Sequence, residues 1–230
     1  MLFDQYITAG RTRISYSHFQ HKFADEYHLA IIPAPEGSAK DQYTQIDQAI
    51  SEFVGKINPE QVRVVFKRLF VSDIANQTEE ILPGTDRESG PSSSVIQQPP
   101  ALGNKMTAWV YLVNFLNAQA VIQASQNYIR FDHNGYQRLF TTNLTSSDGI
   151  DSYNQTRDIF ANFLGILKRN HMTLEADCLR TWIYVRDIDN NYAGMVKARN
   201  EVFRQEGLTQ ESHFIASTGI EGRTADRQNM

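Results

Sequence analysis

Residues 179–188 read LRTWIYVRDI and residues 62–71 read VRVVFKRLFV, and these two stretches decide the fold. Both are rich in β-branched and aromatic residues, a composition typical of strands. Runs such as WIYV are apolar on both sides of the alternating strand pattern. Strands of that kind are buried on both faces, so the sequence predicts sheets that are covered on both sides.

A helix is predicted on each side of LRTWIYVRDI. Asp151 or Ser152 caps the preceding helix, which runs to about Asn170. The following helix covers residues 192–206 and ends at Gly207, the residue type that most often follows a helix. The last segment, HFIASTGIEGR over residues 213–223, is predicted as a short strand that leads into a glycine-containing loop.

A hairpin is predicted upstream of these helices, over residues 128–133 and 136–142. The dipeptide Asn134-Gly135 lies between its strands and tolerates the positive φ angles of a type I′ turn. The second half therefore has the order strand, strand, helix, strand, helix. Residues 117–126, which precede it, are predicted as a polar connector.

The first half shows the same order of elements. Strands are predicted over residues 11–19 and 26–34, and a helix runs from Ser38 or Asp41 to about Lys56. Strand 62–71 follows, and Asp73 is expected to cap a short helix. Residues 83–104 are rich in Pro, Gly and Ser and are predicted as a loop with one strand near 94–97, before a last strand over 108–115.

Two blocks of the halves align in order on the same predicted elements, which indicates an internal duplication. Tyr43, Gln45, Phe53 and Gly55 fall on Tyr153, Gln155, Phe163 and Gly165; Val71, Asp73, Ile74 and Asn76 fall on Val185, Asp187, Ile188 and Asn190. We predict an α+β chain of two tandem β-β-α-β-α units, over residues 1–115 and 128–230, joined by a connector over 116–127. Helices would cover one face of each mixed sheet. The other face would be covered by closing several units around a barrel-like core, as a pseudo-oligomer or a homo-oligomer.

Composition and the absence of common motifs argue against several classes of function. The formal net charge of −4 argues against a basic nucleic-acid-binding surface, and no apolar run approaches the length of a membrane span. A single cysteine, Cys178, cannot form an internal disulfide, so a cytoplasmic location is expected. The chain lacks the common nucleotide, serine-hydrolase and zinc-protease motifs, and His18 and His21 would point to opposite faces of a strand. We expect no cofactor and no metal.

The ordered series in the second half resembles the YjgF/Rid family. It comprises Gln155-Thr156, Asn162, the strand RTWIYVRDI, Tyr192 and the helix sequence MVKARNEVF. The tail IASTGIEG is similar to longer members and to the related chorismatases, which hydrolyse chorismate. The resemblance covers residues 128–223 directly and the first half through the repeat. It implies a chorismate-mutase-like fold, a trimer of units, and ligand clefts between neighbouring sheets.

The resemblance also implies an activity, the hydrolysis of reactive enamines and imines. Active members hold the substrate carboxylate with an arginine in the short strand after the second helix. Neither residues 213–218 nor residues 92–98, the corresponding strand of the first half, contain an arginine. Two functions therefore stay open. One is a Rid-like protein that binds a small carboxylate-bearing metabolite and hydrolyses enamine, imine or chorismate-like substrates; the other is a non-catalytic ligand-sensing or assembly module.

Candidate site residues cluster in the terminal loop. Arg223 would pair with a substrate carboxylate, Glu221 would position water or move protons, and Thr218 and Gly219 would contact the ligand. Tyr184 would form an aromatic wall of the cleft. The alternatives are a solvated loop whose charges pair with each other and, for Tyr184, ordinary core packing. Asp187 is expected to cap the following helix, and Cys178 to be a structural, buried thiol.

Overall fold

The computed structural model describes residues 1–81, 92–116, 121–125, 127–133, 135–146 and 151–224. Contacts divide the chain into two compact units, Met1–Asn143 and Leu144–Met230. The predicted boundary at residues 116–127 separates the two copies of the sequence repeat. The division after Asn143 instead separates groups of residues that contact one another. The predicted hairpin belongs to the first unit by its contacts.

The elements of the first unit are β1 Leu2–Ile7, β2 Arg13–Gln20, β3 Ala24–Ile32, α1 Ala39–Ile57, β4 Val62–Val71, α2 Ile74–Ile81, β5 Ser92–Gln97, β6 Met106–Phe115, β7 Val121–Ala124, β8 Tyr128–His133 and β9 Tyr136–Thr141. The unit is built on a six-stranded mixed sheet with the order β1-β2-β3-β6-β4-β5. Neighbouring strands are antiparallel except β4 and β5, which are parallel. A separate three-stranded antiparallel sheet has the order β7-β8-β9.

Most of these elements match the prediction within a few residues, and two differ. Strand β1 was not predicted, and β7 lies inside the stretch predicted as a connector without regular structure. Both are short strands that contain polar residues, so the alternation of apolar and polar residues is too weak there to predict a strand. Part of the predicted loop, residues 82–91, and the turn residue Asn134 lie outside the described residues.

The two faces of the six-stranded sheet bury two different cores, because side chains alternate along each strand. Even-numbered residues of β6, from Met106 to Leu112, pack with α1. Odd-numbered residues such as Tyr111 and Phe115 pack against the three-stranded sheet, where Phe115 and Phe131 meet edge to face at 5.8 Å. The chain's own hairpin therefore covers part of the sheet face opposite the helices.

The second unit contains α3 Ser152–Arg169, α4 Leu174–Asp177, β10 Arg180–Val185, α5 Ile188–Gln205 and β11 Ala216–Glu221. Asp151 caps α3 by accepting a hydrogen bond from the backbone N–H of Asn154. Helices α3 and α5 pack closely at Gly194, where a Cβ atom would collide with the side chain of Ser152. Strands β10 and β11 form a parallel pair. Gly207 follows α5 with a φ of 88°, as the sequence predicts.

The described part of the chain is thus α+β with a mixed sheet, as predicted. Its sheets are open, and no closed barrel forms among the described residues. The tandem units and the pseudo-oligomer stay predictions. No helix within these described ranges is long and apolar enough to cross a membrane.

Candidate functional site

The predicted site residues lie at the end of the parallel pair formed by β10 and β11. Ile183 pairs with Gly219, so both residues belong to one face of the β10–β11 pair. That face packs against α5, because a Cβ atom at Gly219 would lie 2.8 Å from the Met195 side chain. Glu221 is two residues further along this face. Tyr184 and Thr218 belong to the opposite face. Thr218, Gly219 and Glu221 therefore lie in a strand rather than in the predicted loop, and with Tyr184 they are divided between the two faces of the pair.

Glu221 caps the first turn of α5. Its two carboxylate oxygens accept hydrogen bonds from the backbone N–H groups of Asp187 and Ile188, at 3.2 and 2.8 Å. A carboxylate at this position satisfies donors that have no partner within the helix and interacts favourably with the helix dipole. Asp187 occupies the N-cap position with a φ of 50°, but its side chain makes no capping bond to the helix backbone. The prediction that Asp187 caps this helix is therefore wrong, because a residue of the neighbouring strand does so.

The first unit contains the same arrangement. Gln97, at the end of β5, accepts a hydrogen bond from the backbone N–H of Ile74 at 3.2 Å, in the first turn of α2. The register also agrees, since Val71 pairs with Gln97 and Val185 pairs with Glu221. An amide thus fills in one unit the position that a carboxylate fills in the other. Capping alone does not require the acidic group of Glu221.

Arg223 follows β11 closely, and it is half-buried. Its Nε atom is buried and has no hydrogen-bond partner within the described residues. A buried guanidinium N–H without a partner is costly and suits a ligand that supplies an acceptor. The backbone N–H of Gly222 donates to the carbonyl of Val185 at 3.1 Å, which fixes the chain just before Arg223.

Tyr184 and Thr218 are half-buried and share one face of the pair with Trp182, the partner of Thr218. The Arg180 guanidinium stands 5.0 Å from the centre of the Trp182 ring, a cation–π arrangement. This face therefore offers an aromatic surface with a hydroxyl and a cation. Strand β11 contains no arginine, and neither does β5.

Cys178 follows α4 and is partly buried. Burial raises the pKa of its thiol to about 11. A thiol of that kind is mostly protonated near neutral pH and is a poor nucleophile. In the described ranges no group of three or more His, Cys, Asp and Glu side chains could hold a metal ion.

Sequence reasoning missed a polar cluster in the first unit, between the six-stranded sheet and the hairpin. Arg138 donates from Nη1 to Glu26 at 2.6 Å, and the hydroxyl of Tyr111 donates to the other carboxylate oxygen at 2.8 Å. Tyr111 is 1% exposed, and burial together with the Glu26 charge raises the pKa of its hydroxyl. The pKa of Arg138 is also raised, by its bonds to Glu26 and Tyr111, which outweigh burial.

His28 extends this cluster towards the surface. Its ring stacks on Tyr111 with 4.6 Å between ring centres, and its Nδ1 accepts a hydrogen bond from Trp109 Nε1 at 3.2 Å. Burial of the ring against these neighbours lowers the pKa of His28, and the Glu26 charge opposes that effect. The cluster joins residues of β3, β6 and β9 that are far apart in the sequence. No local motif could have revealed it.

Comparisons with known proteins define a class of fold rather than a family. No family model matches the chain, and no curated protein matches it. Among solved structures, a chorismatase crystal structure has a TM-score of 0.63 to this chain. The two share 12% sequence identity over 99% of this chain and 77% of that one. The chain therefore has a chorismatase-like α+β fold.

Proposed function

We propose that this chain binds a small carboxylate-bearing metabolite beside β11 and hydrolyses it by water addition, with chorismate-like compounds as the first substrate class to test. The observation that carries the proposal is Arg223, whose buried Nε has no partner among the described residues. A carboxylate would satisfy that N–H and neutralise the charge in one two-pronged contact. The chorismatase-like fold supports the choice of substrate class.

Glu221 is the proposed acid–base group. Hydrolysis of an enolpyruvyl ether requires a proton on the methylene carbon and water at the ether carbon, after which the adduct releases pyruvate and an alcohol. A carboxyl group can deliver the proton and orient the water. Gln97 shows that capping of the equivalent helix needs only an amide, so capping does not account for an acid at position 221.

The competing function is a ligand-sensing or assembly module without catalysis. Two observations favour it. Both oxygens of Glu221 already bind backbone N–H groups of α5, which competes with a role in proton transfer. The strand positions of β11 and β5 carry no arginine to hold a substrate. This alternative predicts ligand binding or self-association without turnover.

A binding experiment tests Arg223 first. Thermal stability is measured with chorismate, pyruvate, 2-oxobutyrate and benzoate for the wild type, Arg223→Ala and Arg204→Ala. Arg204 is an exposed arginine in the last turn of α5 and serves as the matched control. A ligand at 100 times its Kd adds about 2.7 kcal/mol to stability. We expect Arg223→Ala to weaken binding about 10- to 100-fold and Arg204→Ala to leave it unchanged.

A kinetic experiment then separates catalysis from capping. Glu221→Gln keeps an acceptor for the first turn of α5, as Gln97 does for α2, but removes the acid. If Glu221 acts in acid–base catalysis, pyruvate release from chorismate falls at least about 100-fold while the melting temperature stays near the wild-type value. Equal rates for Glu221→Gln and wild type would exclude this role. Binding without pyruvate release, and without hydrolysis of enamine or imine substrates, would support the sensing module.

A further inference from the structure

Strand β1 forms one edge of the six-stranded sheet, and β2 is its single neighbour among the described residues. Phe3 is 74% exposed and Ile7 is 68% exposed. Both lie on the sheet face opposite α1, because Tyr6, which points the other way, packs against the core under that helix. An apolar edge strand whose outer backbone groups face solvent is a template for pairing with another strand.

Two hydrogen bonds show which backbone groups of β1 point away from β2. The Thr8 N–H donates to the Thr12 carbonyl at 2.9 Å, in the register that pairs β1 with β2. Even-numbered residues of β1 therefore bind β2, since hydrogen-bonded and non-hydrogen-bonded pairs alternate along an antiparallel ladder. The Gln5 N–H instead donates to the side chain of Asp4 at 2.7 Å. The odd-numbered residues, with Gln5 at their centre, consequently point their N–H and C=O groups to the open edge.

This edge is complementary to a second copy of itself. An antiparallel pair about a two-fold axis at Gln5 places Gln5 opposite Gln5 and Phe3 opposite Ile7. The outward N–H and C=O groups of these residues then meet as hydrogen-bonded pairs, and the apolar side chains pack on one face. A shift of the axis to Tyr6 would leave Phe3 opposite Ala9, which lies beyond the strand.

The charges on the α1 side of the sheet favour the same register. An axis at Asp4 would place two carboxylates directly opposite each other, which destabilises a strand pair. An axis at Gln5 instead places Asp4 of each copy opposite Tyr6 of the other. The Lys56 ammonium stands 3.8 Å from the centre of the Tyr6 ring, so each Asp4 carboxylate is brought towards a cation of the other copy. Charge therefore selects the register centred at Gln5.

We infer that two copies of this chain associate through β1, as an antiparallel β1–β1 pair about a two-fold axis at Gln5. The two sheets then continue into one another. The contact uses a strand edge, unlike the predicted closure of units around a barrel-like core, and it involves none of the residues of the proposed carboxylate site. A single strand pair is a small interface, so the dimer is weak, with a Kd below about 1 mM.

Sedimentation equilibrium of the full chain tests the association. Gln5→Pro removes the N–H at the axis, and an edge strand tolerates proline where the N–H faces solvent. Gln5→Ala is the matched control, because it changes the same side chain and keeps the N–H. We expect Gln5→Ala to dimerise with a Kd within about threefold of the wild-type value, and Gln5→Pro to weaken dimerisation at least about tenfold through the loss of two hydrogen bonds.

Two sedimentation results would overturn the inference. One is a wild-type chain that stays monomeric at about 1 mM, which would leave the edge to a strand of another protein. The other is association of Gln5→Pro as tight as that of the wild type, which would place the contact away from β1.

Cysteine crosslinking tests the register and does not depend on the folding of the proline variant. Gln5→Cys and Asp4→Cys are each made in a Cys178→Ser background and oxidised mildly. Residues opposite each other in a hydrogen-bonded pair have Cα atoms about 5.5 Å apart, so Gln5→Cys should give a disulfide-linked dimer. The two copies of position 4 would be diagonal neighbours about 7–8 Å apart, so Asp4→Cys should not. Crosslinking at Asp4→Cys as strong as at Gln5→Cys would overturn the register, and crosslinking at neither would overturn the pairing.

Discussion

Removing Glu26 should destabilise the protein more than removing any exposed charge. The Glu26 side chain is 19% exposed and binds both Arg138 and the buried hydroxyl of Tyr111. Glu26→Ala would leave that hydroxyl without its acceptor, at a cost of about 1–3 kcal/mol. The Arg138 ion pair adds less, about 0.5–1 kcal/mol, because the Arg138 side chain is 39% exposed and solvent screens it. We expect a total loss of about 1.5–4 kcal/mol in the free energy of unfolding.

Chemical denaturation of Glu26→Ala and a control variant measures this loss. Glu52→Ala removes an ion pair of nearly the same length, since Glu52 and Lys56 lie 2.7 Å apart on α1. Their side chains are 37% and 54% exposed, so the expected loss is about 0.5 kcal/mol or less. The comparison holds distance constant and varies burial. A loss for Glu26→Ala no larger than that for Glu52→Ala would refute the reasoning.

Three further outcomes are expected. Gly55→Ala should raise the free energy of unfolding by about 0.5–1 kcal/mol, because a Cβ atom in this helical position meets no atom within 4 Å, whereas Gly194→Ala should lower it by about 1–3 kcal/mol; denaturation curves measure both, and equal effects would contradict the packing at Gly194. The pKa of His28 is lowered in the folded state, so the unfolded chain binds a proton more strongly at this residue. The contribution of neutral His28 to stability is therefore present above about pH 6.5 and is lost as the pH falls below that value. Unfolding curves from pH 8 to 5 should show a shallower decline for His28→Gln than for wild type, and parallel curves would count against this. Cys178, with a pKa of about 11, should react with iodoacetamide at pH 8 at least about tenfold more slowly than a free thiol; an equal rate would show an accessible thiolate.

Local sequence signals predicted most elements of the fold. Ser38 caps α1 with Asp41 as its capping-box partner, because a hydroxyl and a carboxylate three residues apart satisfy each other's backbone N–H groups. Strand β4 spans the predicted residues 62–71. The spacing of apolar residues and the presence of capping residues are properties of neighbours in the sequence, so they can be recognised before the fold is known. Strand β7, a short pairing partner of β8, has no such signal.

The candidate site was predicted less completely. The sequence placed Thr218, Gly219, Glu221 and Arg223 in a loop, but Thr218, Gly219 and Glu221 belong to strand β11 and Arg223 follows it. It could not reveal that Glu221 caps α5 in place of Asp187, because the capping residue comes from a strand that follows the helix in the chain.

Residue type and local spacing therefore determined the strands, the helices and their caps, and a chemically suggestive terminal segment. Tertiary structure alone decided which polar groups meet. Glu26 binds residues 85 and 112 positions away, and their contact exists only because β3 and β6 are neighbours in one sheet and the hairpin packs on its face. The physical reason is that burial and a shared low-dielectric surrounding are created by packing, so neither a pKa shift nor an oriented imidazole can be read from neighbouring residues.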